Sequence, residues 1–155
     1  MKKKHYIIAL FFFLIDFFTK QIVIKVLELG KSIPVINNFF YLTYTKNTGA
    51  AWSILKDQRI LLLIVSVIVL FLINQFMNKE KISKIECLSY GMIIGGICGN
   101  LIDRLFYGYV IDFLDFKIFG YDYPIFNLAD SFIVIGIIIL IIASIRKEHY
   151  AKNSR

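Results

Sequence analysis

Residues 128–145 read LADSFIVIGIIILIIASI, from Leu128 to Ile145. Asp130 is the only charged residue in this run of eighteen, and an apolar stretch follows it directly. A segment this long and this greasy has the length needed to cross a bilayer. Three more stretches are of the same kind, at about residues 6–24, 60–76 and 85–102. The first is interrupted by Asp16, Thr19, Lys20 and Gln21. The connections between them, notably about 25–59 and 103–127, are too short for an independent soluble domain. The expectation is therefore a single integral membrane domain over residues 1–155.

Composition leads to the same place. Of 155 residues, 58% are hydrophobic and 19% charged, with a mean hydropathy of +0.69. Soluble domains run near 45–50% apolar and about 25% charged. A chain this short cannot hide such an excess in one core, so a soluble enzyme, a disordered chain and a secreted disulfide scaffold are all excluded. The net charge of +7 would raise the question of nucleic acid in a soluble protein. Here the basic residues sit between apolar runs, and no nucleic-acid partner is expected. Met1-Lys2-Lys3-Lys4 followed by an apolar run could open a signal peptide. No small-x-small cleavage site follows, so the first segment is read as an uncleaved helix.

Ten of the eighteen basic residues fall at the N-terminus (Lys2, Lys3, Lys4), between spans two and three (Lys79, Lys81, Lys84) and at the C-terminus (Arg146, Lys147, Lys152, Arg155). By the positive-inside rule these segments share the cytoplasmic side, and the two long connections face outward. Those connections carry six of the nine tyrosines and the only tryptophan, Trp52. Such aromatics favour the headgroup level, so the loops are expected along the membrane surface. Val35 to Thr45 is rich in β-branched and aromatic residues and reads as a short strand or hairpin. The expected fold is an all-α membrane protein, a four-transmembrane-helix bundle carrying a small extracytoplasmic β-sheet. In the third span, Gly91, Gly95 and Gly99 recur every four residues, a spacing that allows close helix packing or a dimer face.

Chemistry-bearing residues cluster at the outer boundary. Asp16 and Lys20 share one helix face, as a self-neutralising ion pair or as a polar site for a ligand backbone. Five aspartates (Asp103, Asp112, Asp115, Asp122, Asp130) lie within twenty-eight residues. Asp103 adjoins Arg104 and is expected to anchor it or to cap the helix end. Asp115 and Asp122 read as solvated loop charges. Asn127 and Asp130 have the spacing of an N-cap and an N3 carboxylate. Asp112 sits among apolar neighbours in Val110-Ile111-Asp112-Phe113, which keeps a carboxyl protonated, whereas one at a helix N-terminus is favoured as the anion. One protonated and one ionised carboxyl is the equipment of aspartic proteases. No GxSxG, HExxH or phosphate-binding glycine loop occurs. Cys87 and Cys98, on one helix, are about 16 Å apart by helical rise, too far for a disulfide. No metal site and no cofactor are expected.

These motifs resemble, over essentially the whole chain, the lipoprotein signal peptidases, the type II signal peptidases of bacteria. The matching elements come in order: Asp16 and Lys20; Asn47-Thr48-Gly49-Ala50-Ala51-Trp52; Gly99-Asn100-Leu101-Ile102-Asp103-Arg104; Val110-Ile111-Asp112-Phe113; and Phe126-Asn127-Leu128-Ala129-Asp130. The resemblance implies an aspartic endopeptidase of the bacterial cytoplasmic membrane with Asp112 and Asp130 as its catalytic pair. It implies diacylglyceryl-modified prolipoproteins as substrates, cut just before the lipidated cysteine, and inhibition by the cyclic peptide globomycin. Asp16, Lys20, Asn47, Gly49, Asn100, Asp103, Arg104, Asn127 and Ala129 match positions that would hold the substrate or the pair. Membrane lipid would be the other partner, and a monomer is expected. Trp52 stands where the family often has Phe, and Phe17 follows Asp16 where Gln is frequent, departures that bear on substrate fit. The competing classes are a transporter subunit or assembly factor, and a hydrolase acting on a lipid headgroup.

Overall fold

The computed structural model describes residues 4–50, 54–79 and 82–153. Trp52, Ala51 and the basic residues Lys2, Lys3, Lys81 and Arg155 lie outside that set. Four helices are long and apolar enough to cross a membrane: α1 (Lys4–Val26), α2 (Arg59–Lys79), α3 (Lys84–Phe106) and α4 (Leu128–Asn153). Between them run β1 (Ser32–Ile36), β2 (Phe40–Asn47), β3 (Val110–Ile118) and β4 (Tyr121–Asp122). The strands form one antiparallel sheet in the order β1-β2-β3-β4.

Helix α3 is the central span. In its most apolar window 61% of residues are buried, against 22% in α1 and 11% in α2 and α4, so the other three present most of their surface to lipid. Its glycines are the reason. A Cβ at Gly95 would lie 2.6 Å from the Ala9 carbonyl oxygen, and one at Gly96 would strike the Ala129 carbonyl. The backbones of α1 and α4 therefore touch α3 from two sides, as small residues permit in membrane helices. The glycine face serves packing within the chain. Helix α3 begins with a capping box between Ser83 and Glu86, which satisfies two otherwise orphaned N–H groups. Cys87 and Cys98 are both free thiols on this helix.

The expected hairpin is present as β1 and β2, with its turn at residues 37–39. The second outer connection differs from the sequence reading. Helix α3 runs on to Phe106, so Asp103 and Arg104 are helical rather than in a loop, and residues 110–118 are a nine-residue strand. That strand pairs with β2, Asn47 facing Val110 and Phe40 facing Phe116. Asp115 accepts a hydrogen bond from Thr43 at 2.6 Å and Asp122 pairs with Lys117 at 3.4 Å, so neither is a bare loop charge. Tyr44 is turned into the protein: it is 6% exposed and packs with Val23, Leu27, Ile111 and Phe113. This cluster seats the sheet on the C-terminal end of α1.

Candidate active site

A chain of buried polar groups starts on α1. Asp16 and Lys20 are fully buried and their charged atoms lie 2.8 Å apart. Lys20 Nζ also lies 2.8 Å from Asp103 Oδ2 and donates to Asn100 Oδ1 at 2.9 Å. Breaking such a buried pair by removing one partner leaves an uncompensated charge at a cost of about 3–5 kcal/mol, so Lys20 ties α1 to α3. Asp103 thus reaches inward to Lys20 and does not anchor Arg104, because a fully buried ammonium needs the counter-charge more than a half-buried guanidinium does. Its Oδ2 also accepts the Ile111 N–H at 3.2 Å, fixing the start of β3. Asp16 Oδ1 accepts the Ala129 N–H at 2.9 Å, one of the free donors in the first turn of α4. Gly99 leaves room for this, since a Cβ there would run into the Asp16 carboxylate.

From Asn100 the chain continues to both candidate carboxyl groups. Asn100 Nδ2 donates to Asp130 Oδ1 at 2.7 Å. Asn127 Nδ2 donates to Asp112 Oδ1 at 2.7 Å and to Asn100 Oδ1 at 3.2 Å. Asn127 is also the cap of α4: its Oδ1 accepts the Asp130 N–H at 2.9 Å, three residues on. The other Asp112 oxygen accepts from Asn47 Nδ2 at 2.9 Å. Asn47 in turn holds its own loop, taking the Gly49 N–H at 2.8 Å, and Arg104 Nη2 donates to the Gly49 carbonyl at 2.8 Å. The structure thus brings together all eleven residues singled out in the sequence: Asp16, Lys20, Asn47, Gly49, Asn100, Asp103, Arg104, Asp112, Asn127, Ala129 and Asp130.

Asp112 is 1% exposed. Burial and then the neighbouring Asp130 push its pKa up to about 7, against the pull of the Asn47 and Asn127 amides. That brings its proton affinity into the range an acid–base group working near neutral pH needs. Among the described residues no cluster of three or more His, Cys, Asp or Glu side chains could hold a metal ion.

A cavity of about 790 Å³ opens beside the pair. Its polar end is made by Asn47, Asn100, Arg104 and Asp130, and its long wall by Phe116, Ile125, Phe126 on the sheet side and Ile133, Val134, Ile135 on α4. One residue escaped the sequence reading. Arg59, at the start of α2, donates to the Arg104 carbonyl at 2.7 Å and the Leu105 carbonyl at 2.9 Å, capping the end of α3 that carries Asn100 and Asp103. No local pattern marks it, because its role depends on two helix ends meeting.

Two coupled carboxyl groups, one of them (Asp130) lining an apolar cavity walled by a membrane-spanning helix, are the equipment of an aspartic hydrolase built into a bilayer protein. The comparisons narrow that class. Residues 8–146 match the family model described as Signal peptidase (SPase) II, and the chain belongs to this family of bacterial membrane aspartic peptidases, which process lipoproteins. Two solved structures, each described as a bacterial membrane enzyme determined by the in meso method, share the fold. One is 37% identical over 93% of this chain and 88% of its own, with a TM-score of 0.87. The other is 38% identical over 90% of each chain, with a TM-score of 0.81.

Proposed function

We propose that this chain is a single-domain, monomeric endopeptidase that cuts diacylglyceryl-modified prolipoproteins immediately before the lipidated cysteine, with Asp112 and Asp130 as its catalytic pair. The observation that carries the reading is the Asn47–Asp112–Asn127–Asn100–Asp130 hydrogen-bond chain at the polar end of the cavity. The substrate's lipid keeps the scissile bond at the membrane surface, the depth of the outer end of α4. Water adds to the scissile carbonyl carbon. One carboxylate takes a proton from that water while the other carboxyl donates its proton to the carbonyl oxygen. Collapse of the tetrahedral intermediate breaks the C–N bond, and the cysteine nitrogen leaves as the amine after taking a proton from the pair. The asparagines fix the orientation of both carboxyl groups, and Lys20 orients the Asn100 amide by occupying its oxygen.

The distribution of Lys and Arg supports cytoplasmic termini and an outward-facing site. The apolar wall supports occupation by a lipid-bearing peptide or by a globomycin-type cyclic peptide. The test is cleavage of a diacylglyceryl-modified prolipoprotein in detergent, followed by gel shift, with Asp112→Asn and Asp130→Asn alongside. Cleavage by the parent and by neither variant is expected. Wild-type rates in either variant would overturn the pair, and inactivity of folded parent protein would overturn the substrate.

A further inference from the structure

The sheet has two ends, and only one serves the site. At one end Asn47 faces Val110, beside the candidate pair. At the other, Phe40 faces Phe116, and both hairpin turns lie just beyond, at residues 37–39 and 119–120. This far end is apolar and open. Val35, Ile36, Phe39, Ile118 and Tyr121 are all exposed, and Phe119 at the very tip is fully so. Phe119 and Gly120 form a two-residue turn between the paired Ile118 and Tyr121, with φ of +50° and +79°. Both angles positive is the type I′ hairpin geometry that favours Asn-Gly. A phenylalanine there is poorly suited to its own backbone and makes no compensating contact with the protein.

The depth of this tip follows from the cavity. Phe39 and Ile118 line the same cavity as Ile133, Val134 and Ile135. Those three residues lie within a membrane-spanning helix that begins at Leu128, so at a rise of about 1.5 Å per residue they sit roughly 8–10 Å below its start. The sheet end therefore faces the apolar span across this cavity. Just behind the tip, Lys117 Nζ lies over the Tyr41 ring at 5.2 Å, a cation and an aromatic of the kinds that favour headgroups.

We infer that the β3–β4 hairpin is a membrane anchor, with Phe119 inserted among the acyl chains of the outer leaflet and Lys117 at its phosphates. The occupant of this apolar rim is lipid, because the rim is continuous with a wall that already belongs to a membrane-spanning helix. Anchoring would hold the open side of the cavity against the bilayer, where a lipid-bearing substrate arrives laterally.

A nitroxide label on Phe119→Cys, in a Cys87→Ala/Cys98→Ala background reconstituted into liposomes, tests the depth directly. Oxygen should relax the label more than a water-soluble nickel chelate does, as for a lipid-facing reference label on Ile64→Cys. Nickel access equal to that of free label in buffer would overturn the anchor. So would dipolar broadening, which would put a second copy at this rim. This measurement does not depend on the peptidase reading. A second arm does: Phe119→Asn, which suits the turn better, should raise KM for lipidated substrate several-fold in liposomes and leave kcat and the detergent rate unchanged. An unaltered KM in liposomes, with the detergent assay active, would overturn the anchor alone.

Discussion

Replacing Asn47 with alanine removes one of the two side-chain donors that hold the Asp112 carboxyl group, the amide 2.9 Å from Oδ2. The Asn127 amide on Oδ1, at 2.7 Å, remains. An ionised carboxylate accepts both bonds fully and a protonated one does not, so losing a donor raises the pKa. A hydrogen bond to a charged group is worth about 1.5–3 kcal/mol, and about 1.4 kcal/mol corresponds to one pH unit. Water entering the vacated position recovers part of this, leaving an expected rise of about one unit. In the parent, Asp112 sits at about 7 through burial and the nearby Asp130. It sets the upper apparent pKa of the coupled pair, above which the last shared proton is lost. The alkaline limb of kcat/KM should therefore fall near pH 7 in the parent and about one unit higher in Asn47→Ala. The assay is a pH series of initial cleavage rates with a lipidated prolipopeptide in detergent. A limb that stays in place, or moves to lower pH, would refute the account of how Asp112 is tuned, whatever happens to the absolute rate.

The same group links pH to stability. Folded Asp112 keeps its proton to about 7, whereas an unfolded aspartate loses it near about 4. The folded state thus holds more protons across that window, and stability falls as pH rises through it. Thermal unfolding in detergent should show this as a falling Tm, with a shallower slope in Asp112→Asn; equal slopes would contradict it. Lys20→Met should cost about 3–5 kcal/mol by leaving Asp16 and Asp103 uncompensated, read as a large loss of Tm, and a near-neutral Tm would show the trio to be less buried than its geometry implies. Gly99→Ala drives a methyl into the Asp16 carboxylate, for which overpacking predicts a loss of about 1–3 kcal/mol; a rise in Tm, as the helix propensity of alanine alone would give, would contradict the crowding. Ser83→Ala should lose about 1 kcal/mol of helix capping without changing the cleavage rate, and a drop in rate would give the inner end of α3 a role it lacks here.

The spans were legible because bilayer thickness and apolar run length are both local quantities. The cap at Asn127 was legible for a similar reason: donor and acceptor are three residues apart and the spacing itself names them. Strand β3 was not, because its partner β2 lies more than sixty residues earlier and the aspartates along it drew attention to charge instead of alternation. The partner of Asp103 is hidden on the same ground. Arg104 is adjacent in sequence, but adjacent residues on a helix point apart, while Lys20, eighty-three positions away, is the charge buried beside it. Polar residue types at the outer boundary could be picked out one by one, yet their wiring depends on helix contacts that only the glycines of α3 make possible.

That wiring draws on five elements of the chain in turn. Asp16 comes from α1, Asn47 from β2, Asn100 from α3, Asp112 from β3 and Asp130 from α4. During synthesis these segments emerge from the ribosome one after another, and the last of them carries the second carboxyl group. A nascent chain with three spans in the membrane holds a cavity wall missing and an aspartate without its counterpart. With Asp112 and Asp130 as the proposed pair, proteolytic competence cannot precede insertion of α4, and the growing polypeptide is chemically inert toward its neighbours until that helix is in place.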